Sequence, residues 1–162
     1  MTRVSLPTAS GVPTPVGQKN APIPAPAAAV YDIIADYRTG HPRILPAKYF
    51  GALDVLEGGR GAGTKIRFEM KAFGRLNIAT GDVTEPRPGT ELRETLTSGI
   101  VTTFLVEPRE PNAAMVTITT EYDKPGILGW FEKILATSYL RRVYTAELAQ
   151  LERVALERLR TS

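Results

Sequence analysis

The 162-residue chain contains no cysteine, a single histidine and a single tryptophan, and only 7% of its residues are aromatic. Without cysteine there are no disulfides, no thiolate nucleophile and no Cys-ligated metal. One imidazole does not make a metal site, so no metal or cofactor is expected. Also missing is any apolar run long enough to span a bilayer, and stable membrane insertion is not expected. The opening stretch MTRVSLPTASGVPTP has no continuous apolar region of the kind a secretory signal needs, which makes the cytoplasm the expected location. Neither sign of charge dominates, with 20 basic residues against 17 acidic ones. No stretch gathers basic residues with aromatics between them, so nucleic acid is not an expected partner.

Proline and glycine, by contrast, are plentiful, at 13 and 14 residues. Pro7, Pro13, Pro15, Pro22, Pro24 and Pro26 crowd the first 26 positions, where each lacks a backbone donor. Residues 1–14 are therefore read as a flexible arm, and 15–162 as one domain with a short edge strand near Val16–Ile23. In PAAAVYDIIADYRTG, Val30, Ile33, Ile34 and Tyr37 recur at helical spacing, with Pro26 in the first turn and Gly40 as the stop. A single short helical turn fits HPRILPAKY.

From there the period switches to two. Strands are expected over Phe50–Glu57, Thr64–Lys71, Arg75–Glu85, Thr90–Thr97, Ile100–Glu107 and Ala114–Tyr122. Short turns separate them, which implies an antiparallel meander. A long helix closes the chain from about Gly126 to Arg160. Its apolar positions repeat near every seven residues, at Ile127, Ile134, Leu148 and Ala155, with Arg141 breaking the line. A helix lying across a twisted sheet explains that drift better than a lone coiled-coil strand.

The segment EGGRGAGTKIRFEM packs four glycines into seven residues. A phosphate-binding glycine loop follows a strand and opens a helix, whose N-terminus supplies the donors. Here the following residues alternate as a strand does, and no Gly-Lys-Ser or Gly-Lys-Thr occurs. The loop is a turn between strands, its glycines supplying positive φ and close approach.

Several stretches carry a family resemblance. IPAPAAAVYDIIADY resembles the entry to the first helix of the SRPBCC (START-related, pollen-allergen-like) superfamily. GRGAGTKIRF is similar to that superfamily's Gly-x-Gly-Thr turn, and FLVEP with MVTITTEYDKPGILGWF to its last strands and final helix. The nearest branch is polyketide cyclase/dehydrase and lipid transport, over roughly residues 16–158. VGQKNAP departs from the pattern, being polar and proline-bounded where the family's first strand alternates β-branched residues. The resemblance implies an α+β helix-grip fold: a curved antiparallel sheet of six to seven strands around a long C-terminal helix, with two short helices after the first strand. It also implies an apolar cavity between sheet and helix.

Alternation offers Phe68, Met70, Ile78, Leu92, Phe104, Val106, Ile118 and Tyr122 as lining residues, with Trp130, Phe131 and Ile134 from the helix. An inward apolar residue is a core residue by default, and that reading stands beside the lining one for each. Among polar residues, Glu94 shares a face with Leu92 and Leu96, Thr102 and Thr120 lie on apolar faces, and Arg141 sits in the apolar line. Glu94, Thr120, Tyr122 and Arg141 are the candidate polar anchors, unless a one-residue bulge turns Glu94 to solvent. His41 reads as a surface histidine on a connection, Ser98 as a turn residue, and Asp32 and Asp36 as water-facing. No catalytic constellation emerges. The leading function is binding of a hydrophobic or aromatic, lipid- or polyketide-like small molecule. The alternatives are a polyketide cyclase/dehydratase and a protein-interaction module with a filled core; a homodimer is a further expected partner, and a concentration-dependent one would favour the module.

Overall fold

The computed structural model describes residues 15–122 and 130–162, with the backbone alone described for 130–135. The arm expected over 1–14 lies outside the described residues. The elements run β1 (Pro15–Ile23), α1 (Ala27–Ala35), α2 (His41–Ile44), β2 (Phe50–Glu57), β3 (Lys65–Ala72), β4 (Arg75–Arg87), β5 (Glu91–Leu96), β6 (Ile100–Arg109), β7 (Ala113–Tyr122) and α3 (Trp130–Arg160). The strands form one curved antiparallel sheet in the order β1-β7-β6-β5-β4-β3-β2, and α3 lies against β1, α1 and α2. This is the helix-grip arrangement.

The polar, proline-bounded β1 is an edge strand, which is where a missing ladder donor is tolerated. It pairs with β7 through Ile23↔Ala114 and, after a bulge, Pro15↔Glu121. Gly17 lies where α3 approaches most closely: a Cβ there would come within 2.8 Å of the Leu140 Cβ. The Thr137 hydroxyl donates to the Val16 carbonyl at 2.5 Å and ties the helix to the same edge.

Register sets what faces inward. Ile66, Gly81 and Leu96 stand side by side across β3, β4 and β5; Val83, Glu94, Thr102 and Thr120 form the next row, and Leu92, Phe104 and Ile118 the one after. Most of these are buried, and the apolar ones among them meet Val143, Tyr144, Leu148, Leu151 and Val154 of α3 in one core.

One boundary differs from expectation. The first helix stops at Ala35, not at Gly40, because the Asp36 carboxylate competes for the backbone: it accepts from the amides of Arg38 and Thr39, both at 3.1 Å. Gly40 instead precedes α2.

The glycine loop turns between β2 and β3 as expected, with positive φ at Gly58, Gly59, Gly61 and Gly63. It also grips the chain that leaves α1. The Tyr37 amide donates to the Gly59 carbonyl and the Gly61 amide to the Ala35 carbonyl, each at 2.9 Å, while the Arg38 guanidinium donates to the Gly58 carbonyl at 2.6 Å. A side chain at Gly59 would meet both a forbidden φ of 133° and the Arg38 side chain. Gly59→Ala is expected to destabilise the fold by about 1–3 kcal/mol in urea unfolding. Gly63→Ala, with positive φ but nothing within 4 Å, is expected to cost less.

Candidate functional site

Between the curved sheet and α3 lies a cavity of about 310 Å³. Its walls are largely apolar: Phe50, Leu53, Ile66, Phe68, Met70, Leu96, Ile100, Phe104 and Leu140, with Ala72 and Ala136 where larger side chains would fill the space. Phe73, which is 71% exposed, and Tyr139 stand toward the β3–β4 turn, so this end opens to solvent.

The polar groups gather elsewhere, around Glu94 on β5. Its carboxylate accepts from the Tyr37 hydroxyl at 2.5 Å, and His41 Nε2 lies 3.6 Å from the same oxygen, Oε1. The His41 ring stacks on Tyr37 at a centroid distance of 4.4 Å and meets the edge of Phe104 at 5.6 Å. Its Nδ1 is 2.7 Å from the Ile34 carbonyl, an oxygen that can only accept, so Nδ1 carries a proton and Nε2 faces Glu94. Burial, followed by the Glu94 charge, pushes the Tyr37 phenol well above its usual value, and it stays a donor.

Beside this pair, α3 contributes Tyr144 and Glu147. The Tyr144 hydroxyl bonds to Thr120, which bonds in turn to Thr102 at 3.0 Å. Glu147 is 3% exposed and its Oε1 has no hydrogen-bond partner among the described residues. Burial, then the nearby Glu94 charge, raises its carboxyl well above the usual carboxylate range. Among the described residues no group of three or more potential ligands could hold a metal.

Phe68, Met70, Glu94, Phe104, Thr120 and Tyr122 line this cavity. Leu92, Val106 and Ile118 face the same way, but all are buried in the core and do not reach it. Glu94 faces inward at 8% exposure, since pairing through Val83 and Thr102 is regular there and the nearby bulge falls between Thr84 and Arg87.

Ile78 does not line it: it is 57% exposed, opposite Glu69 on the outer face. The pairing of Ile66 with Gly81 commits the odd-numbered residues of β4 to the inside, and apolar residues on both parities of that strand concealed this. Arg141 is also exposed and outside the cavity. The buried stripe of α3 runs through Val143, Tyr144, Glu147 and Leu151, and Arg141 falls at its margin. The side chains of Trp130, Phe131 and Ile134 lie outside the described residues.

His41 is no surface histidine, being only 2% exposed at the start of α2. Its carboxylate partner comes from a distant strand, which local sequence could not supply. Glu147 carries a local signal, as an acid at the centre of the VYTAELAQL stripe. Asp32 is partly exposed, pairing with Arg60 and with Arg158 at 3.1 Å.

Seven antiparallel strands wrapped on one long helix, with a mainly apolar cavity between them, define a helix-grip fold. Within it, the chain belongs to the polyketide cyclase/dehydrase and lipid transport family, whose profile matches residues 17–156. The solution structure of the KanY protein is similar at 27% identity, covering 90% of this chain and 99% of that one, with a TM-score of 0.76. A START superfamily protein from Mycobacterium smegmatis matches at 16% identity over 85% of this chain and 97% of that one (TM-score 0.68). A Streptomyces aromatase/cyclase, Zhui, matches at 18% identity over 88% and 93% (TM-score 0.66). No curated protein shows a significant match. Among the described residues no helix is long and apolar enough to cross a membrane.

The raised Glu147 carboxyl carries a sign for stability. The folded chain holds that proton above the pH at which the unfolded chain, near 4.5, releases it. Its contribution is therefore complete below that value and is lost as pH rises through the folded-state value, at up to about 1.4 kcal/mol per pH unit. Urea unfolding from pH 5 to 8 is expected to show this decline in the native chain and a flatter profile in Glu147→Gln. Parallel profiles would mean that Glu147 ionises at its ordinary value.

Proposed function

We propose that the chain binds a hydrophobic or aromatic small molecule in the cavity between the sheet and α3. One observation carries this reading: an apolar wall enclosing about 310 Å³, with its few polar groups gathered around Glu94. Ligand sites have this build, apolar surface for affinity and a few polar groups for orientation, and the volume is at the compact end of their range. Membership of a family described by polyketide and lipid chemistry supports the same ligand class. The cavity weighs against an interaction module, which required a core filled by side chains.

A second reading, a cyclase or dehydrase moving protons, is favoured by one observation, the His41–Glu94 pair at the cavity wall. Such a pair can relay a proton when a substrate reaches it.

Native mass spectrometry of freshly purified protein, followed by the same sample denatured, reports a carried ligand directly. Titration with the neutral apolar dye Nile red tests the cavity itself. One-to-one binding is expected, weakened at least tenfold by Met70→Trp, which fills the cavity at a stability cost of about 1–3 kcal/mol. Equal binding by the filled variant would place the dye elsewhere and sink the reading. The enzyme reading predicts that His41→Asn abolishes turnover of an aromatic polyketide intermediate while dye binding persists.

A further inference from the structure

Three ionisable groups other than tyrosine line the cavity among the described residues: His41, Glu94 and Glu147. No lysine or arginine is among them, so of the described lining residues only His41 could meet an anionic ligand, and it already faces Glu94 at 3.6 Å. Glu94 is engaged by Tyr37 as well. Glu147 differs from both. It is as buried as the surrounding core, it reaches the cavity, and its Oε1 lacks a partner among the described residues. An orphaned buried polar atom is destabilising, and a ligand group that bonds to it relieves that cost only on binding.

Resting on the binding reading above, we propose that Glu147 selects the ligand's polar end: the cavity takes an apolar or aromatic body bearing an uncharged hydroxyl or ketone and rejects the matching carboxylate. A hydroxyl donates to the free Oε1, and the protonated carboxyl donates to a ketone. A carboxylate arriving here would place a second negative charge beside Glu94 in apolar surroundings, where like charges are poorly screened. The upward push that burial and Glu94 exert on the Glu147 carboxyl agrees with a neutral donor at this position. A cationic head could only turn to the Glu94 charge, which already accepts from Tyr37 and faces His41, and it would have to shed its water in apolar surroundings to do so.

The test is equilibrium dialysis of the full chain at pH 7 against naphthalene, 2-naphthol, 2-naphthoate and 2-naphthylmethylammonium. These share one ring system and differ only in the polar end. 2-Naphthol is expected to bind at least tenfold more tightly than naphthalene and about a hundredfold more tightly than 2-naphthoate, as sites built around a ligand hydroxyl discriminate. Glu147→Leu should bring naphthol and naphthalene within about threefold of each other while naphthalene still binds. Glu147→Gln, which keeps a hydrogen-bonding end, should retain most of the naphthol preference and covers the case in which the leucine variant fails to fold.

Naphthoate or the ammonium compound binding as well as naphthol would overturn the inference and leave the cavity reading standing. So would a naphthol preference that survives in Glu147→Leu. Failure of all four compounds to bind would overturn the cavity reading, and the inference with it.

Discussion

The Glu94 carboxylate sits on the inner face of a sheet, and much of the surrounding local structure serves to keep it there. An unpaired carboxylate in that position would cost several kcal/mol, so it must be met by donors. Those donors, Tyr37 and His41, come from the segment between α1 and the short α2. They reach Glu94 because α1 stops early: the Asp36 carboxylate takes over the amides of Arg38 and Thr39, and the chain turns inward. The glycine loop then fixes the turn by bonding to Ala35 and Tyr37 from outside. A loop whose composition suggests phosphate binding is thus, in the fold, the clamp that aims a tyrosine at a buried carboxylate. That charge also adds to burial in raising the carboxyl of Glu147, which shares the cavity and has no donor to its Oε1 among the described residues.

The cavity has a cost that the rest of the core must carry. Side chains around open space lose the contacts that packing would supply, most at the enclosed end and least at the end that opens toward Phe73. Small side chains keep the space: Ala72, Thr102, Thr120 and Ala136 occupy lining positions where leucine or phenylalanine would close it. Those residues make sense as the boundary of a bound molecule, which restores the contacts the protein leaves unmade.

Much of the fold was legible because it depends on local periodicity. Ile66, Phe68 and Met70 announce a strand by alternation alone, and the expected meander, from Phe50–Glu57 to Ala114–Tyr122, corresponds strand for strand to the observed sheet. The errors lie where local pattern gives two answers. β4 carries apolar residues on both parities, so Ile78 could be assigned inward until the pairing of Ile66 with Gly81 settled the register. Arg141 belongs to a seven-residue line whose margin, not centre, it occupies. The site was legible only in part, since Glu94 could be read from its face while His41 and Tyr37 meet it through tertiary packing. No neighbour in sequence signals that meeting. Glu147 was readable in principle, as an acid within an otherwise apolar stripe, but a helix with charges throughout hides one more.

The two functional readings draw on the same polar groups, and the geometry separates what each group is free to do. His41 has one nitrogen bonded to the Ile34 carbonyl and the other turned to Glu94, so neither is available to a ligand unless that pair opens. Glu94 Oε1 already accepts from Tyr37, whose single hydroxyl proton is thereby used. The Tyr144–Thr120–Thr102 chain spends two of its three hydroxyl protons on itself and keeps one. Orienting a ligand through Glu147 displaces no existing partner of its Oε1 among the described residues, whereas proton transfer through His41 needs the Glu94 pair to loosen first. The apolar cavity suits binding as it stands; proton transfer through His41 and Glu94 calls for a second arrangement of that pair. That difference, more than fold or family, is what favours binding as the first reading.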